Sequence, residues 1–151
     1  MQGYYSQSID SEIGDFIIKR ADGYFAYHLV AAVDDGEQNI THIVRGFDLL
    51  DSTPRQIFLQ KKLKYKTPAY LHLPIAIDIK GKKISKTDKV TKFVASNPKR
   101  SLVNALIFLG QSPPPGITGS DIKTILEWAI DNWSIELLPS KSKIHYSPYL
   151  K

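Results

Sequence analysis

The order of apolar segments in the middle of this chain constrains its fold most strongly. The segment Ile40 to Val44 is apolar and β-branched, which predicts a buried strand. A helical pattern follows from Arg55 to Leu63, and Pro54 is placed near its first turn. The segment Leu71 to Asp78 predicts another strand. Strand, helix and strand in this order outline a βαβ unit, so we predict an α/β fold with a partly parallel sheet.

Two further strands are predicted ahead of this unit. The segment Asp15 to Arg20 is short and β-branched, and Ala21 to Gly23 supplies turn chemistry. The nearly continuous apolar segment from Tyr24 to Val33 is typical of a strand buried on both faces. The pair is therefore predicted to form a β-hairpin.

The last third of the chain has a helical pattern. Pro98 to Leu109 predicts a helix, with Gly110 as its C-cap. After a proline-rich linker, Ser120 or Asp121 is placed to cap a final helix. Its apolar residues recur at helical spacing and form one stripe that must pack on something: Ile122, Ile125, Leu126, Ala129, Ile130 and Trp133. A β-rich half is thus predicted to precede a small helical half, with the boundary near residues 88–97.

Composition excludes several classes of protein. The chain has 151 residues and a formal charge of +5, a modest basic excess that is compatible with an RNA or nucleotide partner. Cysteine is absent and the four histidines are scattered, so we expect neither disulfides nor a metal site within this chain. The start is not a signal peptide and no apolar run approaches the ~18 residues of a membrane span. We therefore expect a cytoplasmic protein with no membrane partner.

Two residues of the predicted strands could bind a ligand. Arg45 stands at the carboxyl end of a strand, the edge at which open α/β sheets bind ligands. Its planar guanidinium suits a carboxylate, although a structural salt bridge to Asp34, Asp35 or Asp48 would also explain it. Tyr27 lies in an apolar segment, where core packing is the alternative to ligand binding.

A lysine-rich loop follows the last predicted strand. Its cations suit a polyphosphate, and a solvated basic turn is the alternative. The loop contains Lys80, Lys82, Lys83, Lys86, Lys89 and Lys92 against only Asp78 and Asp88. A second basic cluster closes the middle helix, where it complements the helix dipole or contacts an RNA backbone: Lys61, Lys62, Lys64 and Lys66.

The motifs from Asp15 onward resemble, in one order, the second half of the catalytic domain of glutamate-specific class I aminoacyl-tRNA synthetases. These motifs are Asp15-Phe-Ile-Ile-x-Arg20-x-Asp22-Gly23-x-x-x-Tyr27-x-Leu29, Val33-Asp34-Asp35, Ile43-Val44-Arg45-Gly46-x-Asp48-Leu49-Leu50, Tyr70-Leu71-His72-Leu73-Pro74 and Gly81-x-Lys83-Ile84-Ser85-Lys86. The endings Phe108-Leu109-Gly110-Gln111 and Asn132-Trp133 resemble those of the glutamyl-Q tRNA(Asp) synthetases in particular.

The resemblance implies a division of the chain and a reaction. Residues 1–12 would lead in from an absent half, residues 13–88 would form the second half of a Rossmann-type catalytic domain, and residues 89–151 a small helical C-terminal domain. The implied enzyme is an ATP-dependent ligase of bacteria that activates glutamate and transfers it to the queuosine base of tRNA(Asp).

The resemblance also implies roles for individual residues. Tyr27 and Arg45 match the glutamate-binding tyrosine and arginine of the family. The signature loop that binds ATP, with Mg²⁺ expected beside it, matches Lys83, Ile84, Ser85, Lys86 and Thr87. Lys86 is its second lysine, which contacts ATP and is expected to be catalytic.

Parts of the family pattern are absent from this sequence. It contains no His-Ile-Gly-His-type loop and no cysteine-rich zinc element, so zinc is expected only in the absent amino-terminal half. We therefore expect this chain alone to be inactive. Two alternatives stay open: a fragment of a glutamyl-tRNA synthetase, and a stand-alone RNA- or nucleotide-binding module without catalysis.

Overall fold

The computed structural model describes residues 3–84 and 97–146. The chain divides into two compact units, Gln2–His72 and Leu73–Lys151. The boundary at residue 88 that the sequence suggests lies outside the described residues. The division into residues 1–12, 13–88 and 89–151 therefore stays a prediction.

The first unit contains the predicted alternation of strands and helices. Its helices are α1 (Tyr27–Glu37) and α2 (Thr53–Lys62), and its strands are β1 (His42–Gly46) and β2 (Ala69–Leu73). The strands β1 and β2 are hydrogen-bonded neighbours in one sheet. The predicted strand, helix and strand are thus present in the predicted order, which confirms the α/β class. A π-helical turn (Ile9–Ile13) precedes these elements, and a 3-10 turn (Phe47–Ser52) leads into α2.

The predicted hairpin before this unit is wrong. A single antiparallel bridge joins Lys19 to Phe25, and from Tyr27 the chain is helical rather than extended. A continuous apolar run does not distinguish a buried strand from a buried helix, because it shows neither the two-residue period of a strand nor the 3.6-residue period of a helix. The alanines of this segment favour the helix, and one of them, Ala32, is fully buried.

Helices α1 and α2 pack against each other, and this packing positions the site described below. Pro54 stands in the first turn of α2, where its missing N–H is not needed. The buried face of α2 carries Leu59 together with two glutamines, Gln56 and Gln60. Near the end of α1 the ring of Tyr65 lies directly on Gly36, and a Cβ atom there would collide with it.

The second unit contains two helices and a small parallel sheet. The helices α3 (Pro98–Phe108) and α4 (Ile122–Asn132) confirm the two predicted helices. The strands β3 (Ile75–Ile77) and β4 (Lys143–His145) are parallel. The sequence predicts one long strand from Leu71 to Asp78. Instead, β2 ends and β3 begins on either side of Pro74, which has no N–H to donate to a ladder.

The helix ends in this unit follow the predicted capping chemistry. The carboxylate of Asp121 accepts a hydrogen bond from the N–H of Thr124 at 2.8 Å, so Asp121 is the N-cap of α4. Gly110 follows α3 with φ of +77°, and its N–H bonds to the carbonyl of Ile107. The N–H of Gln111 bonds to the carbonyl of Leu106, which completes a Schellman closure.

The apolar stripe of α4 is only partly covered within the described residues. Ile125 is fully buried and packs in a core with Val103 and Leu106 of α3. Ile130, one turn further along, is 76% exposed. The expected packing is therefore found at the centre of the stripe. No helix in the described stretches combines the length and apolar character that crossing a membrane requires.

Candidate functional site

Arg45 is the centre of a hydrogen-bonded network in the first unit. Its Nη1 donates to Oε1 of Gln56 at 2.7 Å, and its Nη2 donates to Oγ1 of Thr53 at 2.7 Å. Longer bonds of 3.3 Å run from Nε to Nε2 of His72 and from Nη2 to the carbonyl of Leu49. The side chain is half-buried. Helix α2, its lead-in turn and strand β2 thus supply all four acceptors.

Among the described contacts, Arg45 makes no salt bridge of the kind proposed as its alternative role. All four acceptors are uncharged, and Asp34, Asp35 and Asp48 are not among them. Burial raises the pKa of Asp35 above its ordinary value, and the charge of Arg45 opposes this only in part. Arg45 therefore acts on Asp35 through space, while its own positive charge has no bonded counter-ion in the described part of the chain.

Aromatic rings of β2 flank the guanidinium. The guanidinium carbon of Arg45 lies 5.1 Å from the ring centroid of Tyr70, a cation–π distance. The rings of Tyr70 and His72 lie parallel, with centroids 6.1 Å apart, because alternate residues of a strand share a face. Gln60 donates from Nε2 to the hydroxyl of Tyr70 at 3.0 Å. Burial raises the pKa of Tyr70, so its phenol stays neutral.

His72 is held as a neutral acceptor in this network. It is 7% exposed, and its Nε2 lies 3.0 Å from Oγ1 of Thr53 as well as 3.3 Å from Nε of Arg45. Burial, and next the charge of Arg45, lower the pKa of His72 below its ordinary value of 6.5. An imidazole that accepts at Nε2 carries its proton on Nδ1. Protonating Nε2 would therefore break its bond with Arg45.

The lowered pKa of His72 predicts a pH dependence of stability. Below about pH 6.5 the unfolded chain takes up a proton that the folded chain does not. The free energy of unfolding should therefore fall as the pH drops from 6.5 and level off below the folded-state pKa. Histidine NMR titration should place the pKa of His72 below 6.5, and a value at or above 6.5 would contradict this network. A His72→Gln variant should show a weaker pH dependence, with a remainder from His28, whose pKa burial also lowers.

Tyr27 does not lie in a buried strand, so that prediction from the sequence is wrong. Tyr27 is the first residue of α1 and is 51% exposed. Tyr27, Arg45 and Asp35 all lie within electrostatic range of Tyr70 and act on its pKa. The two residues expected to bind glutamate, Tyr27 and Arg45, are thus brought to the same part of the first unit.

A cavity of about 420 Å³ opens next to the network. Thr53, Tyr70 and His72 form part of its wall, and Tyr5 and Lys61 line it as well. Its volume is in the range of small-molecule sites. The hydroxyl of Tyr5 donates to Oδ1 of Asp51 at 2.6 Å, and this bond raises the pKa of Tyr5 to about 12. A cation and several hydroxyl groups therefore border the cavity.

The network includes four residues that sequence reasoning did not assign to the site. They are Thr53, Gln56, Tyr70 and His72. A signal for one of them was present in the sequence. Gln56 and Gln60 are polar residues four apart on a helix that must bury one face, where apolar residues are expected. Two glutamines on that face indicate a polar group opposite them.

The described part of the lysine loop forms a tight turn in the second unit. Oδ1 of Asp78 accepts hydrogen bonds from the N–H groups of Lys80 and Lys82, at 2.8 and 2.9 Å. The turn is closed by the N–H of Asp78, which donates to the carbonyl of Lys82 at 2.8 Å. The predicted turn at Lys80-Gly81-Lys82 is thus confirmed.

The signature loop begins immediately after this turn. Lys83 is exposed and bridges to Ile77, and the N–H of Ile84 donates to the carbonyl of Ala76. Ser85, Lys86 and Thr87 lie outside the described residues, so their role stays a prediction. Across residues 3–84 and 97–146, histidine, aspartate and glutamate side chains form no group of three that could hold a metal ion.

Comparison with known proteins identifies the family. Residues 3–126 match the family model of class I (E and Q) tRNA synthetases, catalytic domain. The glutamyl-Q tRNA(Asp) synthetase of Aromatoleum aromaticum is 44% identical over 139 residues, which are 92% of this chain and 44% of that protein. The same enzyme of Methylococcus capsulatus is 42% identical over 144 residues, 95% of this chain and 48% of that protein. The chain thus spans about half the length of the curated relatives it matches.

Solved structures agree at the level of the fold. The glutamate–tRNA synthetase of Elizabethkingia anophelis superposes with a TM-score of 0.61 at 22% identity, covering 86% of this chain and 30% of that one. A glutamate tRNA ligase of Elizabethkingia meningosepticum, solved in complex with its amino acid, gives a TM-score of 0.59. The resemblance inferred from the motifs is confirmed: this chain belongs to the family of class I (E and Q) tRNA synthetases and matches their catalytic domain.

Proposed function

We propose that this chain supplies the glutamate-binding part and the signature loop of a glutamyl-Q tRNA(Asp) synthetase. Such a ligase activates glutamate with ATP and transfers it to the queuosine base of tRNA(Asp). The names of the relatives with 41–45% identity support this choice. The solved glutamate–tRNA synthetases, at 22% identity, are more distant, and so the alternative of a glutamyl-tRNA synthetase fragment is the second candidate.

The observation that carries the proposal is the charge of Arg45. Its acceptors Gln56, Thr53, His72 and the Leu49 carbonyl fix the guanidinium without neutralising it. Four of its five N–H donors are used, which leaves one on Nη1 without an acceptor among the described residues. A half-buried cation with a remaining donor favours an anionic ligand. The side-chain carboxylate of glutamate fits this requirement, and the Tyr27 hydroxyl would be a second donor.

The signature loop would act on ATP. In the proposed reaction the α-carboxylate of glutamate attacks the α-phosphate and pyrophosphate leaves. Lys86, supported by Lys83 and the rest of the loop from Ile84 to Thr87, would offset the charge that develops on the phosphate oxygens. ATP is expected to enter with Mg²⁺. Holding both reactants in place contributes much of the rate in a reaction of this kind.

The tRNA would bind to a basic surface of the chain. The four lysines that end and follow α2 are all exposed, and they suit an RNA backbone: Lys61, Lys62, Lys64 and Lys66. We further propose that residues 13–88 form the second half of a Rossmann-type domain and residues 89–151 a small helical domain. An enzyme that acts on tRNA(Asp) in bacteria would work in the cytoplasm.

Glutamate should bind to this chain more tightly than glutamine does. Glutamine has the same shape, but the amide oxygen that it directs at Arg45 has no negative charge, so the ion pair is replaced by a weaker hydrogen bond. The expected difference in dissociation constant is roughly 10- to 100-fold. Equilibrium titration followed by NMR, with aspartate as a length control, measures it. Equal affinity for glutamate and glutamine would contradict the assignment of Arg45 to the side-chain carboxylate.

A further inference from the structure

Gln56 holds an unusual position for an amide. It lies on the buried face of α2 and is 1% exposed. Its Oε1 accepts the 2.7 Å bond from Nη1 of Arg45, whereas its Nε2 is buried with no hydrogen-bond partner in the described part of the chain. Only one end of this amide is therefore used, and that end contacts the guanidinium.

A half-satisfied buried amide reduces stability. Buried polar groups normally find partners, and an exception calls for an explanation. Methionine has nearly the same length and would fill the same space without an unpaired N–H. An apolar residue would thus pack at this position at least as well as glutamine does. The bond to Arg45 is what distinguishes glutamine from methionine at this position.

The geometry around Arg45 shows what that bond does. Gln56 and Thr53 are three residues apart on α2 and share a face, so both contact the guanidinium from one side. Their bonds to Nη1 and Nη2 are the two shortest that Arg45 makes. The guanidinium carbon lies over the ring of Tyr70, 5.1 Å from its centroid. Gln56 thus restrains rotation of the Nη1 group. Nη1 is the nitrogen whose second N–H has no acceptor among the described residues.

We propose that Gln56 is a positioning residue, which fixes the Nη1 end of Arg45 so that its remaining N–H points at a carboxylate. The expected effect of Gln56 on glutamate binding rests on the proposed glutamate site. The geometric part, the fixing of Arg45, stands on the hydrogen bonds of this chain alone.

A Gln56→Met variant of the whole chain separates positioning from packing. NMR of ¹⁵N-arginine-labelled chain reports the rotation and hydrogen exchange of the Arg45 Nη groups. We expect slow rotation in the unmodified chain and at least tenfold faster rotation in Gln56→Met. The dissociation constant for glutamate should rise roughly tenfold, the effect of one hydrogen bond to a charged group. Thermal stability should be retained.

Two further variants complete the test. Gln60→Met removes a second glutamine of the same helix, also 1% exposed, that bonds to Tyr70 rather than to Arg45. Because Gln60 makes no bond to Arg45, this variant should change the rotation of Arg45 much less than Gln56→Met does. Gln56→Glu keeps the acceptor, so Arg45 should be fixed again, but the added charge should weaken glutamate binding. Unchanged rotation of Arg45 in Gln56→Met, or an equal effect of Gln60→Met, would overturn the proposal.

Failure of the glutamate site and failure of the positioning role of Gln56 give different results. A chain that shows the predicted change in Arg45 rotation but binds no glutamate would contradict the proposed function and support the positioning role. A chain that binds glutamate with equal affinity in both the unmodified and the Gln56→Met forms would support the glutamate site and contradict the role of Gln56.

Discussion

Replacing Arg45 with alanine should raise the dissociation constant for glutamate by roughly 100- to 1,000-fold, because truncating one partner of a buried charge pair costs about 2–5 kcal/mol. The four hydrogen bonds that hold the guanidinium would be lost together. Arg45→Lys keeps the charge without the planar fork, so its loss should be smaller but still clear. Titration with glutamate, on variants whose folding is verified by circular dichroism, measures both.

Arg55 offers a matched control for this experiment. It belongs to α2 and donates from Nη1 to the carbonyl of Asp51 at 2.6 Å, outside the Arg45 network. Arg55→Ala removes the same positive charge from the same unit and should change glutamate affinity by no more than a few-fold. Equal losses for Arg45→Ala and Arg55→Ala would mean that general electrostatics, and not the site, attract the ligand.

The chain by itself should catalyse no glutamate-dependent exchange of pyrophosphate into ATP. The proposed reaction needs ATP held on both sides, and this sequence contains the lysine loop without a His-Ile-Gly-His-type loop. Positioning of two reactants accounts for about 7–11 kcal/mol in favourable cases, so losing half of the ATP contacts removes measurable activity. Exchange by the isolated chain above background would contradict this expectation.

A chimera tests whether exchange activity appears when this chain is joined to the rest of a full-length relative. This chain would replace the 139 matching residues of the Aromatoleum aromaticum relative, which is 44% identical across them. The chimera should regain exchange activity by at least a thousandfold over the isolated chain, for the positioning reason given above. The same chimera with Lys86→Ala provides a control in which the fold is kept and the proposed phosphate contact is lost.

The sequence predicted those parts of the fold whose signals are local. Pro54 marks the start of α2, and Asp121 and Gly110 mark helix ends by capping chemistry that acts over a few residues. The segment from Tyr24 to Val33 offered no such signal. Its apolar run fits either period, and the outcome depended on packing against α2, which is distant in sequence.

The candidate site shows the same division between local and distant information. Arg45 stands out in the sequence because it lies near the end of a strand, and its role in binding a ligand stays a prediction. Its partners were not foreseen, because Gln56 and His72 are 11 and 27 residues away and meet it only through the packing of α2 and β2 on β1. The salt bridge that seemed plausible from nearby aspartates is replaced by neutral acceptors.

We propose that this chain is part of an enzyme that joins glutamate to tRNA(Asp), and one measurement tests this proposal directly. The chimera is incubated with ATP and labelled glutamate, and with either queuosine-containing tRNA(Asp) or tRNA(Glu). The account predicts label on tRNA(Asp) only, and only when queuosine is present. Label on tRNA(Glu) instead would contradict it and identify a glutamyl-tRNA synthetase.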